Sequence, residues 1–261
     1  NDKEVFCWLF NKNEKLDCLR SPHLYKEHAI RLNVAHEKYG ERSRKIRQWF
    51  ITNGVYTSTH DLISKILQFD VDGDKSLVVA DPAFVNIAEK NMEGIVPLYY
   101  NMRKAEPKLL NNQNIYDGLN AAFTGGNIGI YSNNISKIWN NDVFINGSEE
   151  EKQHAIDCVK RLCCQNNFVI DYAKTLYKPA FPDRINEEIK EFTNAKLPAF
   201  FEYAKDKETD QVSMRNQSFV NKLYDKIPNK SINTRGMKLG KLDYQKMMHN
   251  VNIVCSKEVS N

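Results

Sequence analysis

The 261-residue sequence has no CxxC pair, and none of its cysteines stands at ligand-like spacing from a histidine. A cysteine-based metal site therefore has no support. Cys7, Cys18, Cys158, Cys163, Cys164 and Cys255 read instead as reduced thiols of an intracellular protein. No apolar run approaches the roughly 18 residues that a membrane span needs, and no signal peptide opens the chain. There is no internal repeat and no low-complexity tract. Charge of one sign is also scarce: 37 basic against 33 acidic side chains leave a net +4, which permits an anionic partner without requiring one. What remains is a globular balance, 41% apolar and 27% charged, long enough to bury one large core or two smaller ones. The chain begins at Asn1, not Met, with a strand pattern almost at once, and reads as a segment of a longer polypeptide.

Residues 5–10 form a short apolar run rich in strand formers, closed by Asn11, Lys12 and Asn13. Residues 17–20 continue extended, because Pro22 pushes Ser21 out of helical geometry. In the stretch 39–50, Arg42, Arg44, Lys45 and Arg47 crowd together; a solvated face is favoured there over a phosphate contact. Residues 66–70 and 77–80 read as two strands flanking an acidic turn. Asp81 as N-cap and Pro82 at the first position start a helix whose apolar face is Phe84, Val85, Ile87 and Ala88, stopped by Gly94. Residues 95–100 read as another strand.

After Pro107 the pattern becomes helical. Asn114 is expected to cap a helix carrying Ile115, Leu119 and Ala122, and a second helix spans 128–139. Ser148 followed by Glu151 has the capping-box spacing, ahead of Ala155, Val159, Leu162 and Cys163 at helical intervals. From Arg184 onward the chain is polar, lysine-rich and mostly helical.

The acidic turn holds Asp70, Asp72 and Asp74 at alternate positions between apolar flanks. Such charge costs several kcal/mol unless something positive compensates it. Carboxylate oxygens suit hard cations, and Mg²⁺ commonly takes only a few from protein, leaving room for phosphate and water. Gly73 lets the backbone fold tightly enough for the side chains to converge. A calcium loop of the EF-hand type beginning at Asp70 would want glycine where Lys75 stands and glutamate where Asp81 stands. A plain acidic surface turn is the bland alternative.

The string Leu67-Gln68-Phe69-Asp70-Val71-Asp72-Gly73-Asp74 resembles the DxDGD signature of the two-barrel RNA polymerases. That superfamily joins the multisubunit transcriptases, the eukaryotic silencing RNA-dependent RNA polymerases and single-chain phage and prophage enzymes. Upstream, Arg20-Ser21-Pro22 is similar to the family's R-x-P segment beside the incoming nucleotide, although Tyr25 stands where the silencing enzymes carry histidine. For His23 and His28 packing roles are the better reading. Downstream, residues 127–133 resemble the family's D-x-L-G-x-I-A-N helix. Residues 169–175 look like its A-V-D-F-P-K-T segment, with Ala173 in place of the proline and Leu176 in place of the following glycine. The matches run in family order across roughly residues 16–180, and single-chain prophage-type enzymes look closest.

The resemblance implies an α+β fold: a double-psi β-barrel bearing the aspartates over residues 1–107, then a mainly helical region over 108–261. It implies Mg²⁺-dependent nucleotidyl transfer from a nucleoside triphosphate to an RNA 3′-hydroxyl on a nucleic-acid template, in a bacterial or phage-infected cytoplasm. Asp70, Asp72 and Asp74 would be the metal-binding and catalytic carboxylates, Arg20 a nucleotide contact, and Asp171 and Lys174 channel residues, unless these last two simply pair with each other. A second, lysine-bearing barrel upstream in the parent chain would complete the active site, so the isolated segment is expected to be inactive. A Mg²⁺-dependent nuclease or phosphatase, and a non-catalytic nucleic-acid-binding protein that keeps the barrel, stay open as alternatives.

Overall fold

Among the described residues, five strands form one curled sheet: β1 (Glu4–Phe6), β2 (Lys15–Arg20), β3 (Ala29–Asn33), β4 (Tyr56–Thr57) and β5 (Ser76–Val79), in the order β4-β1-β3-β2-β5. β1 runs parallel to β3, and every other pairing is antiparallel. The computed structural model describes residues 1–69, 73–100, 105–205 and 207–226. The chain divides into two units, Asn1–Asn221 and Lys222–Asn261. Of the second, only residues 222–226 are described, as the end of a helix.

β3 alternates buried and half-buried positions, the period-two signature of a strand with one covered face. β2 is buried on both sides through its middle. Leu16 and Cys18 join Val5, Cys7, Ala29, Ile63 and Leu67 in one hydrophobic cluster. Asp17 is also buried, where it accepts a 2.7 Å hydrogen bond from His28 Nδ1. The strand expected over residues 5–10 ends early, at Phe6, and a 3₁₀ turn covers Trp8–Phe10. The cause is the fully buried Asn33, whose amide bonds Cys7 N, Cys7 O and Phe10 O in place of a strand ladder.

Two further strand expectations fail. Residues 63–67 form helix α2 (Ile63–Leu67), after α1 (Gly40–Arg47) and in place of the strand expected from residue 66. Ile63 and Leu67, four apart, bury the same helical face, and the Asp61 carboxylate accepts from Ile63 N at its start. Residues 95–100 form no strand. Their backbone is claimed by side chains instead: Leu98 N donates to Glu27 Oε1, and Gln68 Nε2 donates to Leu98 O.

Helix α3 (Pro82–Asn91) starts as expected, with Asp81 accepting from Ala83 N and Phe84 N. Only Val85 and Ala88 of its apolar residues are buried; Phe84 and Ile87 face outward. Helix α4 (Asn112–Thr124) is capped by Asn111, which accepts from Asn114 N, rather than by Asn114 itself. No residue of α4 is buried.

The helical core lies on α5 (Ile128–Trp139), α7 (Glu149–Ile170) and α9 (Asp183–Thr193), with α6 (Val143–Asn146) and α8 (Tyr172–Thr175) between them. Ile135, Ile138, Val159, Leu162 and Ile189 fill it, and Leu24, Tyr25, Leu98 and Tyr100 from the strand-rich part pack against it. The capping box is formed: Ser148 accepts from Glu151 N, and Glu151 Oε2 accepts from Ser148 N. α10 (Phe201–Ala204) and α11 (Phe219–Lys226) follow. Cys7, Cys18, Cys158, Cys163 and Cys164 are all free; burial pushes the Cys18 thiol up to about 12 and the Cys158 thiol to about 11, so both stay protonated and inert. Among the described residues no helix is long and apolar enough to cross a membrane.

Candidate active site at the acidic loop

The register of β2 against β5 sets Arg20 opposite Ser76, and Ser21 N donates to Lys75 O at 3.0 Å. The end of β2 thereby meets the returning arm of the acidic loop. Arg20 Nε donates to Asp74 Oδ1 at 3.2 Å across 54 residues of sequence. Both side chains are largely covered, 17% and 15% exposed, so the pair is less screened than a surface ion pair. Gly73 sits at φ 136°, a conformation that side-chain-bearing residues rarely adopt. Asp70 and Asp72 lie outside the described residues, and so does the convergence expected of the three carboxylates.

Asp74 and Gly73 form one wall of a cleft of about 780 Å³. Its opposite side is built by Leu9, Phe10 and residues 52–55. A second cleft, of about 190 Å³, lies beside Arg20 and is lined by Lys65, Gln68, Tyr99, Asn167 and Asp171. Asp171, at the C-terminal end of α7, thus comes to the Arg20 side of the loop. Lys174 Nζ lies 3.4 Å from Asp171 Oδ1, the mutual pairing that was the plainer alternative for these two residues.

Arg20 also lines a small cavity of about 50 Å³, with His23, Glu27, Tyr100 and Asn166 among its other walls. Tyr100 Oη and Asn166 Oδ1 are buried with no hydrogen-bond partner among the described residues. Burial pushes the Glu27 carboxyl and the Tyr100 phenol up and the His23 imidazole down, so each favours its neutral form. His23 Nε2 donates to Glu27 O and His28 Nδ1 to Asp17 Oδ2, which is the packing role expected of both histidines.

Gln68, Asn167, Glu27 and Tyr100 carried no signal in the sequence. They lie in four separate stretches of the chain, and Gln68 holds a left-handed φ of 58° that its residue type does not announce. Toward a hard cation the donor set is suitable. Asp74 offers carboxylate oxygens, and Arg20 holds it through one guanidinium nitrogen rather than a two-pronged clamp. Among the described residues no three His, Cys, Asp or Glu side chains converge, but two of the three loop aspartates are not among them.

No family model matches the sequence, and no solved structure matches it. The chain is 48% identical over 258 residues to the DNA-directed RNA polymerase YonO of Bacillus phage SPbeta. The alignment covers 99% of this chain and spans 28% of that polymerase, so the chain is similar, along nearly its whole length, to one segment of a phage DNA-directed RNA polymerase.

Proposed function

We propose that this chain is the aspartate-bearing part of a single-chain, phage-type DNA-directed RNA polymerase. Its reaction is nucleotidyl transfer from a nucleoside triphosphate to an RNA 3′-hydroxyl on a DNA template, with release of pyrophosphate, in the cytoplasm of a bacterial or phage-infected cell. The observation that carries this reading is the 48% identity along 99% of the chain to a protein of that name. The pairing of Arg20 with Asp74 supports it independently, since it sets a guanidinium at the loop where the triphosphate would lie.

Asp70, Asp72 and Asp74 would hold Mg²⁺, which when bound supplies Lewis acidity to the attacking hydroxyl and the leaving oxygen. Arg20 neutralises Asp74 before substrate arrives and offers its remaining N–H groups to the nucleotide's phosphates or ribose. The curled sheet over the first 79 residues supports the double-psi barrel reading of residues 1–107, with 108–261 as the helical region packed on it. A second, lysine-bearing barrel elsewhere in the longer polypeptide would neutralise the triphosphate.

Arg20→Lys in that polypeptide is expected to raise the KM for nucleoside triphosphates about tenfold or more, because an ammonium cannot reproduce the planar contact. Single-nucleotide incorporation kinetics measure this, and an unchanged KM would remove Arg20 from the site.

The reading itself is tested by product analysis. The longer polypeptide should yield template-dependent RNA and pyrophosphate, and residues 1–261 alone should yield neither. Shortened nucleic acid instead of longer RNA would point to a nuclease. Template-dependent extension by the 261-residue chain alone would show that no second barrel is needed.

A further inference from the structure

The basic stretch that the sequence offered as a solvated face has a neighbour that solvation does not explain. α1 carries Arg42, Arg44, Lys45 and Arg47, and its turn continues past its end through Trp49 N and Phe50 N, both donating to Ile46 O. Arg42 is paired with Glu4, and Arg47 stacks over Trp8 and donates to Phe50 O. Arg44 has no ion pair among the described residues, and Lys45 pairs only with the equally exposed Glu41. Basic residues at a helix C-terminus are favoured by the helix dipole, so the charges alone demand nothing more.

Trp49 does demand something. It is 81% exposed, beside Ile51 at 69% and Leu9 at 59%, and it makes no ring contact among the described residues. Phe50, by contrast, stacks on Tyr56 with ring centroids 4.1 Å apart. A bare indole on a basic segment costs solvation unless a ligand covers it.

Position supplies the ligand's path. Residues 52–55, the continuation of this segment, form the wall of the cleft that faces Gly73 and Asp74, and exposed Leu9 lies on the same wall. Trp49 lies three residues before the first of these cleft-lining residues. An exposed indole on the turn that continues the helix carrying Arg44 and Lys45 suits a chain of alternating bases and phosphates, in which bases stack and phosphates meet cations.

We propose that Trp49, Arg44 and Lys45 form a platform for single-stranded nucleic acid entering or leaving the Asp74 cleft, with one base stacked on Trp49 and adjacent phosphates met by the two cations. This rests on the polymerase reading for the role of the cleft. A protein segment covering Trp49 is the rival occupant. The excess of positive charge over the lone Glu41 favours a polyanion.

The 261-residue chain, titrated with a fluorescein-labelled 12-nucleotide oligouridylate or oligothymidylate, tests it by anisotropy. Trp49→Ala should raise Kd about tenfold, while Trp49→Phe, which keeps a ring, should recover most of the affinity. Arg44→Gln should lower the slope of log K against log salt by about 0.7, one phosphate contact on a single strand. Neither side chain is buried, so circular dichroism should be unchanged in each variant. Wild-type affinity in both Trp49→Ala and Arg44→Gln would overturn the platform. So would a Trp49→Ala chain that binds oligonucleotide normally but no longer associates with the rest of the polymerase. Absence of RNA synthesis by the longer polypeptide, with Trp49-dependent binding intact, would sink the polymerase reading and leave the platform standing.

Discussion

Asp72→Ala is expected to lower RNA synthesis by the longer polypeptide about a thousandfold, with the fold intact. The motive is the alternation of Asp70, Asp72 and Asp74 about Gly73, which holds a φ of 136° that favours glycine. In the proposed site, losing one carboxylate of a shared cation would withdraw charge stabilisation where the transferred phosphoryl develops it, typically worth about 3–4 kcal/mol. Stability should not fall, because three neighbouring carboxylates repel one another without metal, and alanine relieves part of that repulsion. Rates of single-nucleotide incorporation, alongside a thermal melt, decide it. Synthesis within tenfold of wild type would mean that the loop's middle carboxylate is not part of the reaction.

The second large effect falls on stability rather than chemistry. Arg31 on β3 and Asp61 before α2 make a two-pronged pair, Nε to Oδ2 at 2.6 Å and Nη2 to Oδ1 at 2.8 Å, with both side chains almost fully buried. Asp61 also accepts from Ile63 N and so starts the helix that leads into the acidic loop. Asp61→Ala leaves a buried guanidinium without its counter-charge and should cost about 3–5 kcal/mol. The double variant Arg31→Met/Asp61→Leu should lose much less, since a buried pair replaced as a unit by apolar groups is often neutral. Urea unfolding midpoints of the three proteins compare them. A loss under about 1 kcal/mol for Asp61→Ala would show that water reaches Arg31.

The sequence by itself determined the features that depend on near neighbours. Asp81 with Pro82 starts α3, the Ser148–Glu151 capping box starts α7, and the helix over 128–139 appears with those bounds, because caps and helical periodicity act within one or two turns. Short apolar runs were less legible. Residues 66–70 read as a strand, whereas Ile63–Leu67 form a helix in which Ile63 and Leu67 share a buried face, and Asn33 cuts β1 short from 26 residues away. α3 was placed correctly, yet Phe84 and Ile87 face outward, since which part of an apolar stripe is covered depends on what packs there.

The candidate site divides the same way. Arg20 and Asp74 could be named from their motifs, but their meeting is a product of the β2–β5 register, which carries Arg20 to Asp74 across 54 residues. Only the tertiary structure set Gln68 and Asn167 beside Arg20, paired Lys174 with Asp171, and left Trp49 bare. Residue types and spacings encode what a segment can do locally. Which groups become neighbours, and which are left uncovered, is decided by strand register and packing between distant parts of the chain.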